Sequence, residues 1–352
     1  MSCTCGTSYI IKSGDTLFLI AERELGDGNR WQEITKPNCT PFTEEEARKL
    51  YPGDEICLPS KGSIIKFAGV RSSPYFYYPG PPEPFPPSEY WAKAMQTMAG
   101  YFPSSTPVGV WLVGEFNDTK NTNSGMNMGF PNPGGNYDPR IRFSDIDKHE
   151  SYLSYFDRQG VKVFLQVESG YADMKDLIDV TLRQYGHHPS VIGFGIDVEW
   201  YKRTSVALEE ADKIPPVTDE LAQVWEEAVK SYNPSYRLCL KHYHRPSWDD
   251  FKLPKNYRGE IIFINSAQGF SSYQAFLNWM TEFADYFSTN PVMFQIGYDD
   301  VKNDETGKTD KFWWEQLTQP FPQTIGLGLA EKCSNPEVGV IWVDFTLKDI
   351  VP

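Results

Sequence analysis

The chain has 352 residues, 40% of them hydrophobic and 23% charged. This is an ordinary globular composition, which supports a sizeable core and excludes disorder over the whole chain. Lys plus Arg number 33 against 47 Asp plus Glu, a formal charge of −14, so a phosphate backbone is repelled and nucleic acid is excluded as a partner. No apolar run reaches the ~18 residues of a membrane-spanning helix. The opening MSCTCGTSYI lacks the basic and apolar regions of a signal peptide, which leaves the compartment open.

Residues 1–60 predict a small βααβ unit. Tyr9-Ile-Ile-Lys starts a strand, Ser13-Gly14 turns, and Asp15 or Thr16 can cap a helix. Leu17, Ile20, Ala21 and Leu25 give that helix an apolar stripe. Trp31, Ile34, Ala47 and Leu50 mark a second helical region, and Pro52-Gly53-Asp54 turns into a last strand through Pro59. Four of the six cysteines (Cys3, Cys5, Cys39 and Cys57) fall here. That density points to disulfides, with Cys39–Cys57 one pairing expected in an exported protein.

The pattern Y-x-I-x-S-G-D-T-L-x-x-I-A, followed by N-R-W-x-E-I and L-x-P-G-D-x-I-C-L-P, resembles a LysM domain. The resemblance implies binding of N-acetylglucosamine polymers such as chitin or peptidoglycan, in a groove between the loop after the first strand and the loop before the last. It places Gly14, Asp15 and Thr16 in the first loop and Asn38 in the second.

Residues 61–90 read as a connector. SSPYFYYPGPPEPFPPS carries seven of the 27 prolines and is polyproline-like and semi-rigid. Its Tyr75, Phe76, Tyr77, Tyr78 and Phe85 are expected to pack on a neighbouring domain. From 91 to 352, short apolar runs alternate with helical stretches. Strands are predicted at 108–113, 161–167, 191–198, 237–242, 260–264, 292–296 and 338–343, with a missing one near 126–130 or 140–143. Helices are predicted at 145–158, 173–185, 219–231, 273–287 and 311–317. The fold class is therefore α/β, a (β/α)₈ TIM barrel preceded by the βααβ unit. A doubly wound sheet would want a Gly-rich phosphate loop, and neither GxGxxG nor GxxxxGK[ST] occurs.

Barrel function sits at the C-terminal ends of strands. Those ends carry Glu115, Glu168, Asp197 with Glu199, His242 with His244, Asn265 with Gln268, Tyr298 with Asp299 and Asp300, and Trp342 with Asp344. Carboxylates dominate, and two of them flanking a bond are what glycoside hydrolysis needs. In Gly193-Phe-Gly-Ile-Asp-Val-Glu-Trp-Tyr201, strand alternation points Asp197 and Glu199 the same way. Side by side, one of the pair acquires a raised pKa. The bland alternative is an ion pair with Lys241 or Arg245.

That segment resembles the strand-4 signature of family 18 glycoside hydrolases, D-G-x-D-x-D-x-E, and Val338-Gly-Val-Ile-Trp-Val-Asp-Phe is similar to that family's last strand. The resemblance implies a retaining, substrate-assisted mechanism. Glu199 would be the acid, Asp197 would orient the acetamido group, Tyr298 would hydrogen-bond it, and Trp342 would form the floor under the sugar. Glu168, Glu115, His242, Asn265 and Asp344 complete the expected sugar-binding set. In this chain the outer Asp positions are Ile192 and Gly195. An alignment by identity instead moves the acid position to Tyr201. Three rivals therefore stand beside a chitinase-like hydrolase: a non-catalytic chitin- or peptidoglycan-binding protein, a lysozyme-like muramidase using Asp-Val-Glu, and a metal-dependent deacetylase. No HExxH and no GxSxG occurs. No cofactor and no metal is expected, and a polysaccharide is the expected partner.

Overall fold

The structure, a computed structural model, describes residues 3, 6–25, 28–59, 64–72, 75, 84–211, 213–243, 251–267, 270–298 and 313–349. The chain forms two compact units, residues 1–63 with 331–334 and residues 64–330 with 335–352.

In the N-terminal unit, β1 (Gly6–Ile10) pairs antiparallel with β2 (Glu55–Pro59). Between them lie α1 (Leu17–Leu25), a 3₁₀ turn (Gly28–Glu33) and α2 (Glu44–Ala47). The predicted stripe is the core: Leu17, Ile20 and Ala21 pack with Ile11, Ile34, Ile56 and Leu58, and Trp31, Ala47 and Leu50 lean on them. Thr43 and Glu46 cap α2 reciprocally, which satisfies two amide donors that a helix start otherwise leaves bare. Cys57 is bonded to Cys3, so the expected Cys39–Cys57 pairing does not form; Cys39 is itself disulfide-bonded.

The second unit is a closed barrel of eight parallel strands. In barrel order they are β3 (Ile65–Ser72), β4 (Thr106–Leu112), β8 (Lys162–Val167), β9 (Val191–Asp197), β10 (Arg237–Tyr243), β11 (Ile262–Ser266), β12 (Val292–Ile296) and β13 (Val338–Val343), which closes on β3. The (β/α)₈ architecture is as expected. Its first strand is not: β3 lies inside the stretch assigned on sequence to the connector. The segments proposed for the missing strand instead form β6 (Gly125–Met128) and β7 (Ile141–Phe143). With β5 (Gly114–Asn117) they make a three-stranded sheet outside the barrel.

The outer helices include α3 (Ser88–Gly100), α4 (Glu150–Gln159), α5 (Met174–Tyr185), α7 (Asp219–Tyr232), α8 (Tyr273–Tyr286) and α9 (Phe321–Lys332), with a short α6 (Leu208–Ala211) before α7. Asp173, Thr218 and Ser272 each cap the following helix through the side chain. Among the described residues, 313–316 form only a 3₁₀ turn where a helix was predicted.

The barrel interior below the strand ends is apolar: Phe67, Val108, Val110, Phe164, Cys239, Ile262, Ile264, Met293 and Ile341 form one cluster. Side chains alternate along a strand, so these positions fix which residues at the upper ends continue the interior. Tyr75 is buried, its hydroxyl 2.9 Å from His149 Nε2, and Phe85 packs on Trp91, Trp111 and Tyr152. Both connector aromatics thus belong to the barrel unit; 76–78 lie outside the described residues.

Candidate active site

Continuing the interior rows upward from the apolar cluster reaches Arg71 on β3, Gln166 on β8, Asp197 on β9, Lys241 on β10 and Gln295 on β12, all at most 7% exposed. Val167 pairs with Ile196, so Glu168 and Asp197 are the next residues on adjacent strands. Lys241 is the register partner of Asp197. Register alone therefore assembles charges from β3, β8, β9 and β10 at one end of the barrel.

Two buried cations hold three acids. Lys241 Nζ lies 2.9 Å from Asp197 Oδ2 and 3.1 Å from Glu199 Oε1. Arg71 Nη2 donates to Glu168 Oε1 at 3.0 Å. Glu199 is not on the strand: β9 ends at Asp197, and Glu199 sits in the 3₁₀ turn Val198–Trp200. It joins Asp197 through Lys241 rather than through strand alternation.

The acids are driven apart in protonation. Burial, reinforced by the charges of Asp197 and Glu199, raises the Glu168 carboxyl to about 8 despite Arg71. Burial and the Glu199 charge raise Asp197 to about 6 against Lys241. For Glu199, burial acts upward too, but Lys241 and then His242 outweigh it and hold the carboxyl below its ordinary value. Lys241 and Arg71 are raised, because their acid neighbours overcome desolvation. At neutral pH the group that retains a proton is Glu168, and Glu199 is ionised. The acid implied by the sequence resemblance is thus the ionised member of the cluster.

Hydrogen bonding is incomplete here in a way that interiors rarely tolerate. Among the described residues, Asp197 Oδ1, Glu168 Oε2, Gln166 Nε2 and Gln295 Nε2 have no partner. Tyr298 donates its hydroxyl to Gln295 Oε1 at 3.0 Å, and burial raises its pKa.

The remaining sequence candidates divide. Asp344 is buried at the end of β13, and its charge contributes to raising Arg71. Trp342 has odd parity relative to Ile341. It has no exposed surface, donates Nε1–H to Thr346 Oγ1 at 2.9 Å, and lies edge-on to Trp314 at 5.6 Å. It therefore offers no face to a sugar. Gly297, at φ 101°, permits this packing, since a Cβ there would meet Trp342 Nε1 at 2.5 Å. His242 alternates with Lys241 and packs against Phe251 outside the interior rows. Asn265 likewise alternates with Ile264. Glu115 lies on β5 in the outer sheet, where it accepts from Asn127 Nδ2 at 3.4 Å. His244, Arg245, Gln268, Asp299 and Asp300 lie outside the described residues. Arg71 and Gln295 escaped the sequence reading; parity with the apolar interior is the signal that finds them.

In the N-terminal unit, a groove of about 570 Å³ is lined by Asp15, Thr16, Phe18, Trp31, Ala47 and Arg48, among others. Asn38 lines a separate hollow of about 390 Å³ with Lys36, Pro37 and Glu55, so it does not face Asp15 and Thr16 across the larger groove as expected. Asp15 is engaged by Tyr9, Lys12 and Arg23. Thr16 accepts from the Leu19 amide as a cap. Gly14, at φ 89°, makes the turn. The side chains of Asp15 and Thr16 are thus occupied by local structure, which leaves backbone and the aromatic walls Phe18 and Trp31 to meet a ligand.

No family model and no curated protein matches the chain. Among solved structures, a Bacteroides uniformis β-glucuronidase aligns over 57% of this chain and 26% of its own, at 14% identity and a TM-score of 0.37. An FMN-binding β-glucuronidase from Facaelibacterium prausnitzii L2-6 aligns over 81% and 38%, at 9% identity and 0.39. The GH51 α-L-arabinofuranosidase of Thermotoga petrophila RKU-1 aligns over 80% and 66%, at 12% and 0.38. The aligned part of this chain spans about a quarter to two fifths of the glucuronidases' length. Likeness at this level leaves the site to its own chemistry.

Among the described residues, no helix is long and apolar enough to cross a membrane.

Proposed function

We propose that the barrel hydrolyses glycosidic bonds in an N-acetylglucosamine-containing polymer, which the N-terminal unit captures through its groove. The observation that carries this reading is the set of buried Glu168 and Asp197 with partly buried Glu199 at the strand C-termini, where burial and mutual repulsion raise the first two carboxyls and Lys241 holds the third low. One protonated and one ionised carboxyl is the division of labour that bond cleavage requires.

In this assignment Glu168 protonates the leaving oxygen. Glu199, kept ionised by Lys241, stabilises or attacks the developing cation at the anomeric carbon. Asp197 and Tyr298 orient the sugar's acetamido group. Glu168 has its proton below about pH 8, so activity falls above that value. The groove of the N-terminal unit, with Phe18 and Trp31 as stacking walls, raises the local concentration of barrel on an insoluble chain.

One observation favours a second reading. Lys241 pairs with both Asp197 and Glu199, and such a clamp suits a barrel that binds sugar without cleaving it. Release of reducing ends from N-acetylglucosamine hexamer by wild type, Glu168→Gln and Glu199→Gln, with binding to insoluble chitin scored in parallel, separates the two. The hydrolase reading expects cleavage by wild type, a loss of ~100-fold or more in Glu168→Gln, and unchanged chitin binding. Binding without cleavage by wild type, on chitin oligomers and peptidoglycan alike, would leave only the lectin-like reading.

A further inference from the structure

At the opposite end of β9 from the acids, the turn between α5 and β9 carries His187 and His188 beside α4. His188 is 3% exposed and is gripped by two carboxylates of that helix. Its Nδ1 lies 2.7 Å from Asp157 Oδ2, and its Nε2 lies 3.2 Å from Glu150 Oε2. Asp157 is itself fixed, because its Oδ1 accepts from the Ser190 amide at 2.8 Å. Ser154 Oγ donates to the other oxygen of Glu150 at 2.9 Å.

This arrangement sets the tautomer. With Nδ1–H donated to Asp157, the Nε2 of a neutral imidazole carries a lone pair, and it faces a carboxylate oxygen that also only accepts. Two acceptors at 3.2 Å need either a second proton or a metal ion between them. The His187 ring lies beside that of His188, tilted by 37° with centroids 4.1 Å apart. One ligand atom from each of Glu150, His187 and His188 falls within 4.8 Å of the others. Two donors bound to zinc at 2.0–2.1 Å in tetrahedral geometry lie about 3.3 Å apart, which is the spacing already present between Nε2 and Oε2. A carboxylate that orients a ligating histidine through its other nitrogen is the usual support for such a ligand.

We propose that Glu150, His187 and His188 bind a divalent transition-metal ion, zinc by the imidazole–carboxylate character of the donors, with Asp157 positioning His188. His187 is exposed, so a fourth position remains open to water. The ion joins α4 to the chain entering β9, on the barrel face associated with stability rather than with catalysis. It is a fastening between elements and does not touch the buried acids.

The test uses the full chain, stripped with chelator and titrated with zinc chloride near pH 7.5 by calorimetry. Cobalt(II) absorption serves as a second probe of tetrahedral ligation. One ion per chain is expected, with a rise in Tm on zinc addition. His187→Ala, chosen because the side chain is exposed and its loss spares the fold, and Glu150→Gln are each expected to weaken binding at least tenfold and to abolish the zinc-dependent Tm shift. Asp157→Asn is expected to weaken it by about 10–100-fold. Affinity should also fall as pH drops, because protons compete for the imidazoles. No zinc uptake by wild type at tens of micromolar, or binding by His187→Ala and Glu150→Gln equal to wild type, would overturn the proposal and leave His188 as a proton-bridged structural residue.

Discussion

Asp15 in the N-terminal unit and Asp197 in the barrel each meet one basic side chain, Arg23 at 3.2 Å and Lys241 at 2.9 Å, yet their carboxyls move in opposite directions. Burial acts to raise both. At Asp15 the Lys12 amide, the Tyr9 hydroxyl and Arg23 outweigh it and the carboxyl is held low. At Asp197 burial and the neighbouring Glu199 charge prevail over Lys241, and one oxygen is left without a partner. A carboxylate whose lone pairs are consumed by its own turn is a structural part. A carboxylate held in a low-dielectric cluster with unspent hydrogen-bonding capacity is kept at a cost in stability, and such sites are where chemistry is to be sought.

The sharpest way to break this contrast is to remove the cation from the buried side. Lys241→Met leaves buried Asp197 and its partly buried neighbour Glu199 without their shared ion-pair partner. Breaking a buried pair from one side costs ~3–5 kcal/mol, so urea denaturation of the barrel should show a loss of that order. A loss below ~1 kcal/mol, the range of exposed pairs, would mean that the cluster is far wetter than its burial implies.

Glu168 gives the next largest effect, and one with a defined pH window. Its ordinary value of 4.5 is raised to about 8 in the folded chain. Between those values the folded state keeps a proton that the unfolded state has released. Stability therefore falls as pH rises from about 4.5 to about 8. Glu168→Gln removes this dependence, so its barrel should lose less stability than wild type between pH 5 and pH 8. Asp15 has the opposite sign: its contribution is present above the unfolded aspartate pKa and is lost as pH falls below it. Denaturant midpoints collected from pH 5 to pH 8 test the Glu168 slope directly.

The sequence made the alternation of strand and helix, the βααβ unit and the acids of β8 and β9 legible, because apolar runs, caps and paired carboxylates are local signals. What it concealed had physical causes. Residues 65–72 are buried on both faces apart from Lys66, and a strand of that kind shows no alternation. Next to a proline-rich stretch it was absorbed into the connector, and Arg71 went with it. Helix α9, which is absent from the predicted helices, contains Gly326 and Gly328; in the fold they let the helix approach Phe102 and Tyr273, where a Cβ would come within 2.3 Å and 2.0 Å. Trp342, His242 and Asn265 were selected for lying at strand ends. Parity with Ile341, Lys241 and Ile264 sends them to the outer side, and that parity is known only once the interior rows are.

The smallest expected effect falls on the exposed side of the contrast. Arg23 is 47% exposed in its side chain while Asp15 is 7% exposed, so Arg23→Met removes a solvent-screened partner and leaves Asp15 its bonds to Tyr9 and the Lys12 amide. Exposed, solvent-screened pairs contribute little, so the loss here should be small beside that of Lys241→Met. It should appear as modestly faster amide exchange at Ile20 and Ile56 in the N-terminal core, with protection in β9 and β10 unchanged. Lys241 and Arg23 each neutralise an aspartate at similar distance, so the ratio of the two effects reports burial together with the second acid, Glu199, that Lys241 also holds. If Arg23→Met matched Lys241→Met, distance rather than desolvation would be setting the energetics, and the distinction between a structural and a functional carboxylate would fail with it.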